Sequence, residues 1–221
     1  MKYSASKENY LKAIFHLQYE QSIVTTNAVA ASLNTKAASV SDMLRKLKAE
    51  KLLIYEKYRG FKLNTEGKKV AAQIIRKHRL WEYFLVEKLG FGWDEVHEMA
   101  EELEHASSKK MIDRLEEYLG YPQTDPHGDP IPDSNGKIKS YRQLNLLDLP
   151  LNKTVQVSAI SEQTSGMLEL LQHKNIRIGT KLEVRKKFPF DNSLELKIRN
   201  QAPITVSELV AKNILVKDDQ A

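Results

Sequence analysis

The sequence of 221 residues contains no cysteine. Disulfide bonds, thiolate nucleophiles and cysteine-ligated zinc or iron–sulfur sites are therefore excluded. No segment approaches the roughly 20 consecutive apolar residues of a membrane-spanning helix, and the stretch beginning at Met1 lacks the apolar segment of a secretory signal. We therefore expect a cytoplasmic protein with no membrane partner. Hydrophobic residues make up 41% of the chain, which is enough to bury folded cores.

Charge is distributed unevenly along the chain. The net charge of +5 divides into +10 over residues 1–79, −8 over residues 80–150 and +3 over residues 151–221. A basic first third favours a polyanionic partner such as nucleic acid, although scattered surface charge is the alternative. The acidic middle third indicates either cation binding or a solvated helical face.

The basic first third of the chain predicts a winged helix-turn-helix. Its third helix, expected over residues 36–51, follows a short second helix capped by Thr26 or Asn27 after a brief polar break. Apolar residues recur on this third helix at i, i+3, i+4 and i+7, which predicts one buried face. The buried positions are Val40, Met43, Leu44 and Leu47, and the polar positions off that stripe are Ser39, Asp42, Arg45 and Lys46. An outward polar and basic second helix of such a pair is typical of DNA binding.

Two short strands are expected next, over residues 52–57 and 61–64. Gly60 can supply the positive φ of a tight hairpin between them. A basic hairpin tip at Tyr58-Arg59-Gly60 is typical of a wing that contacts the phosphate backbone.

The middle block carries residues suited to metal binding. Two imidazoles and two carboxylates share one stripe of a helix expected to run from Asp94 to about Ala106, and two further residues lie at i and i+4 on the preceding long helix. The stripe is His97, Glu101, Glu104 and His105, and the pair is His78 and Glu82. If the two helices pack together, they can supply the two halves of a metal site. A solvated helix face is the alternative.

The ligand types select among metals. Imidazole and carboxylate donors without thiolate favour Mn²⁺, Fe²⁺, Co²⁺ or Zn²⁺, and the carboxylate-rich set leans to Mn²⁺ or Fe²⁺. The helical zinc-hydrolase signature His-Glu-x-x-His fails, because Glu101 stands where the second histidine is required.

The rest of the chain predicts a linker and a small β module. A proline-rich passage over residues 121–132 becomes polar to about residue 141, and His127 within it is expected to be structural or exposed. We expect a mainly α fold with a small β module: a winged helix-turn-helix, a helical metal-binding domain, a linker and an SH3-like β-barrel, over residues 1–72, 73–140, 141–150 and 151–221.

Five strings in this order resemble the diphtheria-toxin-repressor/manganese-transport-regulator family of metal-dependent bacterial repressors. The strings are Glu56-Lys57-Tyr58-Arg59-Gly60, Arg76-Lys77-His78-Arg79-Leu80, Val96-His97-Glu98, Glu104-His105 and Gly128-Asp129-Pro130-Ile131-Pro132. The resemblance covers nearly the whole chain and includes the C-terminal SH3-like (FeoA-type) domain of the longer members. It implies a homodimer, formed by a helical dimerisation domain over residues 73–140, that binds a palindromic double-stranded DNA operator.

The resemblance also implies two metal sites per subunit. The primary set would be Asn9, Glu101, Glu104 and His105, and the ancillary set would be His78, Glu82, His97 and Glu162, with Gln163 as a further candidate. Glu101 stands where iron-responsive members have cysteine, which is similar to the manganese branch. Asn9 departs from the usual aspartate of that branch, and Lys12 stands where some short manganese regulators have glutamate.

For DNA, the resemblance implies base contacts from the recognition helix. The basic residues around it predict phosphate contacts, with plain surface charge as the alternative. The base-facing positions are Lys36, Ala38 and Asp42, with Ser39 beside them, and the phosphate-contacting positions are Lys46, Lys57 and Arg59.

The prediction is a metal-dependent repressor, Mn²⁺-responsive, with no enzymatic activity and no small organic substrate. The alternatives are an Fe²⁺-responsive repressor of iron uptake, a metal-independent winged-helix regulator, and a metal-dependent enzyme that uses the Glu/His cluster.

Overall fold

A computed structural model describes residues 3–20, 22–56, 59–139 and 142–217. The chain forms two compact units. The first comprises residues 1–81, 100–121 and 131–138, and the second comprises residues 82–99, 122–130 and 139–221. In the described residues, no helix combines the length and apolarity needed to cross a membrane.

The first half of the chain is mainly helical. Its elements are α1 (Ala5–Glu20), α2 (Thr26–Ser32), α3 (Ala37–Ala49), β1 (Leu53–Glu56), β2 (Gly60–Leu63), α4 (Thr65–Leu89), α5 (Val96–Ala106) and α6 (Lys109–Tyr118). One buried core joins α1, α2, α3, the hairpin and the first part of α4. Val40, Leu44 and Leu47 are buried in it and Met43 is partly buried, so the predicted inner face of α3 is confirmed.

The start of α2 differs from the prediction. Thr25, rather than Thr26 or Asn27, is the N-cap, and its hydroxyl oxygen accepts a hydrogen bond from the backbone N–H of Ala28 at 3.2 Å. An N-cap needs extended backbone, which Thr25 has.

The hairpin is antiparallel and pairs Glu56 with Gly60 and Leu53 with Leu63. Gly60 has φ +136°, and a Cβ there would lie 2.3 Å from the carbonyl oxygen of Val24. Glycine is therefore required both for the turn and for the approach of the hairpin to the segment before α2.

The second half of the chain is a mixed module built on a six-stranded antiparallel sheet. Its elements are β3 (Gln143–Asn145), a 3₁₀ helix (Leu146–Asp148), β4 (Thr154–Ile160), α7 (Ser165–His173), β5 (Lys181–Lys187), β6 (Leu194–Ile198), β7 (Ile204–Val206), α8 (Glu208–Asn213) and β8 (Ile214–Lys217). The strand order is β3-β8-β4-β5-β6-β7, with β3 and β7 as the outer strands.

Several elements of this module were not predicted. β3 and β7 have three residues each and α8 has six, which is too short to show a periodicity. Leu146, within the predicted linker, has no exposed surface and belongs to the core of the second unit.

Candidate metal centres and nucleic-acid interface

The first cluster contains the predicted primary set and lies in the first unit. Helical spacing aligns Glu101, Glu104 and His105 along α5. The ammonium of Lys12, on α1, is paired with Glu101 and donates to both carboxylate oxygens of Glu104, at 3.0 and 3.2 Å. The Glu104 side chain has no exposed surface. A buried carboxylate needs a cation partner of this kind.

Glu8, on α1, orients the ring of His105. Its Nδ1 donates to the carboxylate of Glu8 at 2.7 Å, so in the neutral ring the proton is on Nδ1 and Nε2 carries a lone pair. This Nε2 is buried, has no hydrogen-bond partner among the described residues, and lies 3.6 Å from Glu104 and 3.8 Å from Glu101. A histidine held through one nitrogen, with the other aimed at carboxylates, has the geometry of a metal ligand.

Asn9 offers a second candidate ligand atom for a metal. It lies three residues before Lys12 on α1, so the two side chains share a face of the helix. Its Oδ1 is buried and has no hydrogen-bond partner among the described residues. Amide and carboxylate oxygens with one imidazole fit a hard or borderline divalent cation, so the residues present are suited to the metal that the sequence predicts.

His78, predicted for the ancillary set, lies beside the first cluster. Its Nδ1 is 2.7 Å from Oε2 of Glu104. His78, Glu101 and Glu104 each offer a ligand atom within 4.8 Å of the others.

The second cluster is Glu82, Asp125 and His127, in the second unit. Each offers a ligand atom within 4.8 Å of the others, and all three side chains are almost completely buried. Nε2 of His127 donates to the carbonyl oxygen of Trp93 at 2.8 Å, and its ring stacks on the Trp93 indole. Nδ1 therefore carries the lone pair in the neutral ring, and it faces Glu82 at 3.8 Å and Asp125 at 3.9 Å.

The loop that carries Asp125 and His127 is held by its own backbone. Oδ1 of Asp125 accepts from the N–H groups of His127 and Asp129, at 2.8 and 3.0 Å. Gly128 has φ +91°, and a Cβ there would lie 2.0 Å from the carbonyl oxygen of Ser158 in β4. Only glycine permits this close approach, so the loop position depends on that residue.

The other predicted ancillary ligands are His97, Glu162 and Gln163. His97 is largely exposed, and its Nδ1 lies 3.4 Å from Glu82. Glu162 is exposed, and its carboxylate accepts from Thr164 and from the amide of Asn213. Gln163 donates to Asp129.

Sequence reasoning missed three residues of these clusters. Glu8 and Asp125 were not considered, and His127 was expected to be structural or exposed. The available signal for the last two was an aspartate and a histidine two residues apart, just before a glycine, in a proline-rich passage.

The predicted DNA contacts share one exposed surface on α3. Lys36 is the N-cap residue of this helix, and Lys36, Ala38, Ser39, Asp42 and Lys46 are all exposed. Asp42 forms an ion pair with Arg45. Arg59, at the hairpin tip, is also exposed, whereas Lys57 lies outside the described residues.

Comparisons with known protein families cover most of the chain. Residues 2–61 match the family described as iron dependent repressor, N-terminal DNA binding domain, and residues 64–133 match its metal binding and dimerisation domain. Residues 144–218 match the FeoA domain. The chain is 34% identical over 116 residues to the HTH-type transcriptional regulator MntR of Oceanobacillus iheyensis, which is 52% of this chain and 78% of that protein.

The chain belongs to the diphtheria toxin repressor/MntR family. This confirms the resemblance and the prediction of a transcriptional regulator rather than an enzyme. The chain is also 35% identical over 125 residues to the iron-dependent repressor IdeR of Mycobacterium leprae, over 57% of this chain and 54% of that protein.

Solved structures described as manganese-dependent or manganese-activated repressors match nearly the full chain. A manganese-dependent transcriptional repressor in complex with manganese has a TM-score of 0.85 and 32% identity, covering 96% of this chain and 99% of that one. ScaR with bound Cd²⁺ has a TM-score of 0.80 and 30% identity, with the same coverage.

Proposed function

We propose that this chain is a cytoplasmic, Mn²⁺-responsive repressor that binds a palindromic DNA operator as a homodimer. The observation that carries the proposal is the buried Nε2 of His105, which faces Glu101 and Glu104 without a hydrogen-bond partner among the described residues. A lone pair beside two carboxylates is stabilised by a divalent cation.

The donor set supports manganese as the cognate metal. The first cluster offers carboxylate oxygens from Glu101 and Glu104, the amide oxygen of Asn9 and an imidazole nitrogen of His105. Cysteine is absent from the whole chain. Such oxygen-rich sites suit Mn²⁺, whereas thiolates favour softer ions. A repressor structure with 32% identity is described as a complex with manganese.

Iron is the second candidate metal. The IdeR relative at 35% identity is described as iron-dependent. Fe²⁺ and Mn²⁺ both accept carboxylate and imidazole ligands, and affinity alone favours Fe²⁺ over Mn²⁺ in a given site. Selectivity would therefore depend on the geometry of the cluster and on metal availability.

Metal would act on DNA binding through α1. This helix packs in the same core as α2 and α3, and it also supplies Glu8, Asn9 and Lys12 beside α5. A metal held by Asn9 together with Glu101, Glu104 and His105 would join α1 to α5. In a dimer this would bias the spacing of the two α3 helices, which must reach half-sites about 34–36 Å apart. Metal and DNA then strengthen each other by the same coupling factor.

The second cluster would hold a second ion. Its metal would join α4, through Glu82, to the loop that carries Asp125 and His127. We propose this set as the second site, with His97, whose Nδ1 lies 3.4 Å from Glu82, as a further ligand of the ion on the solvent side.

The test is operator binding measured by fluorescence anisotropy. A duplex is first selected from a random library by the protein, once with Mn²⁺ and once with chelator. Binding is then measured with chelated protein and with Mn²⁺, anaerobic Fe²⁺, Zn²⁺ or Mg²⁺ added. Binding that requires Mn²⁺ supports the proposal, and a lower activation threshold for Fe²⁺ would favour the iron alternative. Equal binding with and without metal would contradict it, and would identify a metal-independent regulator.

A further inference from the structure

We propose that Lys12 is a tethered competitor of the metal in the first cluster, and that a divalent ion binds there only by displacing its ammonium. Lys12 would then set the metal concentration at which the repressor responds. This inference rests on the proposed function, because it assumes that the first cluster binds the regulatory ion.

The ammonium of Lys12 uses the atoms that a metal would need. It contacts one carboxylate oxygen of Glu101 and both carboxylate oxygens of Glu104. A cation cannot coordinate these oxygens at bonding distance while the ammonium donates to them. The two cations therefore compete for the same carboxylates.

The uncharged ligand atoms of the cluster indicate that Lys12 competes with a metal ion and does not replace it permanently. Oδ1 of Asn9 and Nε2 of His105 remain buried and have no hydrogen-bond partner among the described residues, even with Lys12 in place. A buried polar atom without a hydrogen-bond partner is unfavourable, because it has lost its contacts with water. In this arrangement the ammonium pairs only with the carboxylates of Glu101 and Glu104. A divalent ion would also coordinate Asn9 and His105. The arrangement with Lys12 is thus incomplete in a way that a metal corrects.

The position of Lys12 permits displacement. Its side chain is 13% exposed, whereas that of Glu104 is fully buried. A lysine side chain has a flexible four-carbon stem, so its ammonium can move into solvent when a metal takes the carboxylates. In the metal-free protein the same ammonium offsets part of the negative charge of the cluster and pairs α1 with α5.

Lys12 therefore has two opposite effects on the protein. Its charge stabilises the metal-free cluster, where carboxylates from Glu8, Glu101 and Glu104 converge around His105. The same charge weakens metal binding. Removal of the charge is expected to lower the stability of the metal-free protein and to tighten metal binding, a combination that damage to a ligand would not produce.

The test compares Lys12→Met with Lys12 in full-length protein that carries His127→Ala, so that the second cluster does not contribute. Mn²⁺ affinity is measured by isothermal titration calorimetry at constant pH, and thermal unfolding is followed without metal. We expect Lys12→Met to bind Mn²⁺ about tenfold more tightly, equal to about 1.4 kcal/mol, and to unfold at a lower temperature without metal. Lys110→Met, an exposed lysine on α6, is the matched control and should change neither value.

A second measurement needs no substitution at Lys12. The wild-type protein is acetylated with an amine-specific reagent, with and without Mn²⁺, and the modification of Lys12 is compared with that of Lys110 by mass spectrometry. We expect Mn²⁺ to raise the acetylation rate of Lys12 several-fold while Lys110 stays constant. Mn²⁺ binding with unchanged Lys12 reactivity, or with equal or weaker affinity in Lys12→Met, overturns this inference alone. No Mn²⁺ binding by any of these proteins overturns the proposed function as well.

Discussion

Oε2 of Glu82 lies 3.8 Å from Nδ1 of His127, and both side chains are almost completely buried. This distance is too long for a hydrogen bond. It is the separation expected for two ligands of one ion, because metal–ligand bonds of about 2.0–2.6 Å place neighbouring ligand atoms roughly 3–4 Å apart. This separation supports the cation site that we propose at the second cluster.

Substitution of His127 tests this second cluster. We expect His127→Ala to reduce the Mn²⁺ stoichiometry from about two ions to one per chain, because the remaining carboxylates lose their nitrogen ligand. The increase in unfolding temperature on Mn²⁺ addition should also be smaller. His173→Ala removes an exposed histidine of α7 and is the control. Unchanged stoichiometry in His127→Ala, measured by equilibrium dialysis, would contradict the assignment.

Substitution of Glu104 tests the first cluster. Glu104→Gln removes a buried charge that both Lys12 and His78 contact. We expect metal-stimulated operator binding to fall by at least tenfold in anisotropy titrations. The reason is the loss of a carboxylate ligand that contacts side chains on both α1 and α4. Glu102→Gln, an exposed carboxylate on the same helix, should leave activation intact. Full activation of Glu104→Gln by Mn²⁺ would exclude Glu104 as a ligand.

Lys46 tests the DNA-binding surface. Its exposed position on α3 fits a contact with a phosphate, which adds affinity without sequence preference. We expect Lys46→Ala to weaken binding to operator and to random duplexes by similar factors. It should also reduce the slope of log K against log salt by about 0.9 per subunit. Lys181→Ala, on the β module, should leave the slope unchanged. A loss of affinity for the operator alone would indicate that Lys46 contacts a base instead.

Arg76 tests the packing of α4 against α6. Its side chain is 2% exposed and donates to Asp113 at 3.0 Å and to Glu116 at 2.6 Å. Burial alone would lower the pKa of Arg76, but the bonds to Glu116 and Asp113 outweigh it and the pKa is raised. We expect Arg76→Met to lower the free energy of unfolding by about 2 kcal/mol in urea titrations. Arg114→Met, which breaks an exposed pair with Glu117, should change it by less than about 1 kcal/mol.

The pH dependence of stability tests Asp113. Hydrogen bonds from Lys109 and Arg76, together with their charges, lower the pKa of this carboxyl below its ordinary value of 3.8. Its contribution is therefore fully present above about pH 4 and is lost as the pH falls through the lowered pKa. We expect the wild-type protein to be more stable than Asp113→Asn at pH 6, with a gap that narrows towards pH 3. A gap independent of pH in urea titrations would exclude this linkage.

Local patterns were sufficient to predict much of the fold. The spacing of Val40, Leu44 and Leu47 predicts the buried face of α3, and Gly60 predicts the hairpin. The same periodicity aligns Glu101, Glu104 and His105 on α5. Short elements such as β3 and β7 were missed, since three residues provide too little periodicity to identify a strand.

The sequence by itself determined the donor chemistry: a chain without cysteine, with imidazoles and carboxylates at helical spacing and a basic N-terminal third. Tertiary structure decided which of these groups meet. Lys12 reaches Glu104 across 92 positions of the chain, and His127 reaches Glu82 across 45. Helical periodicity relates residues within a few turns, whereas these pairs depend on how distant segments pack, so the ammonium in the first cluster and the histidine in the second emerge only from the folded chain.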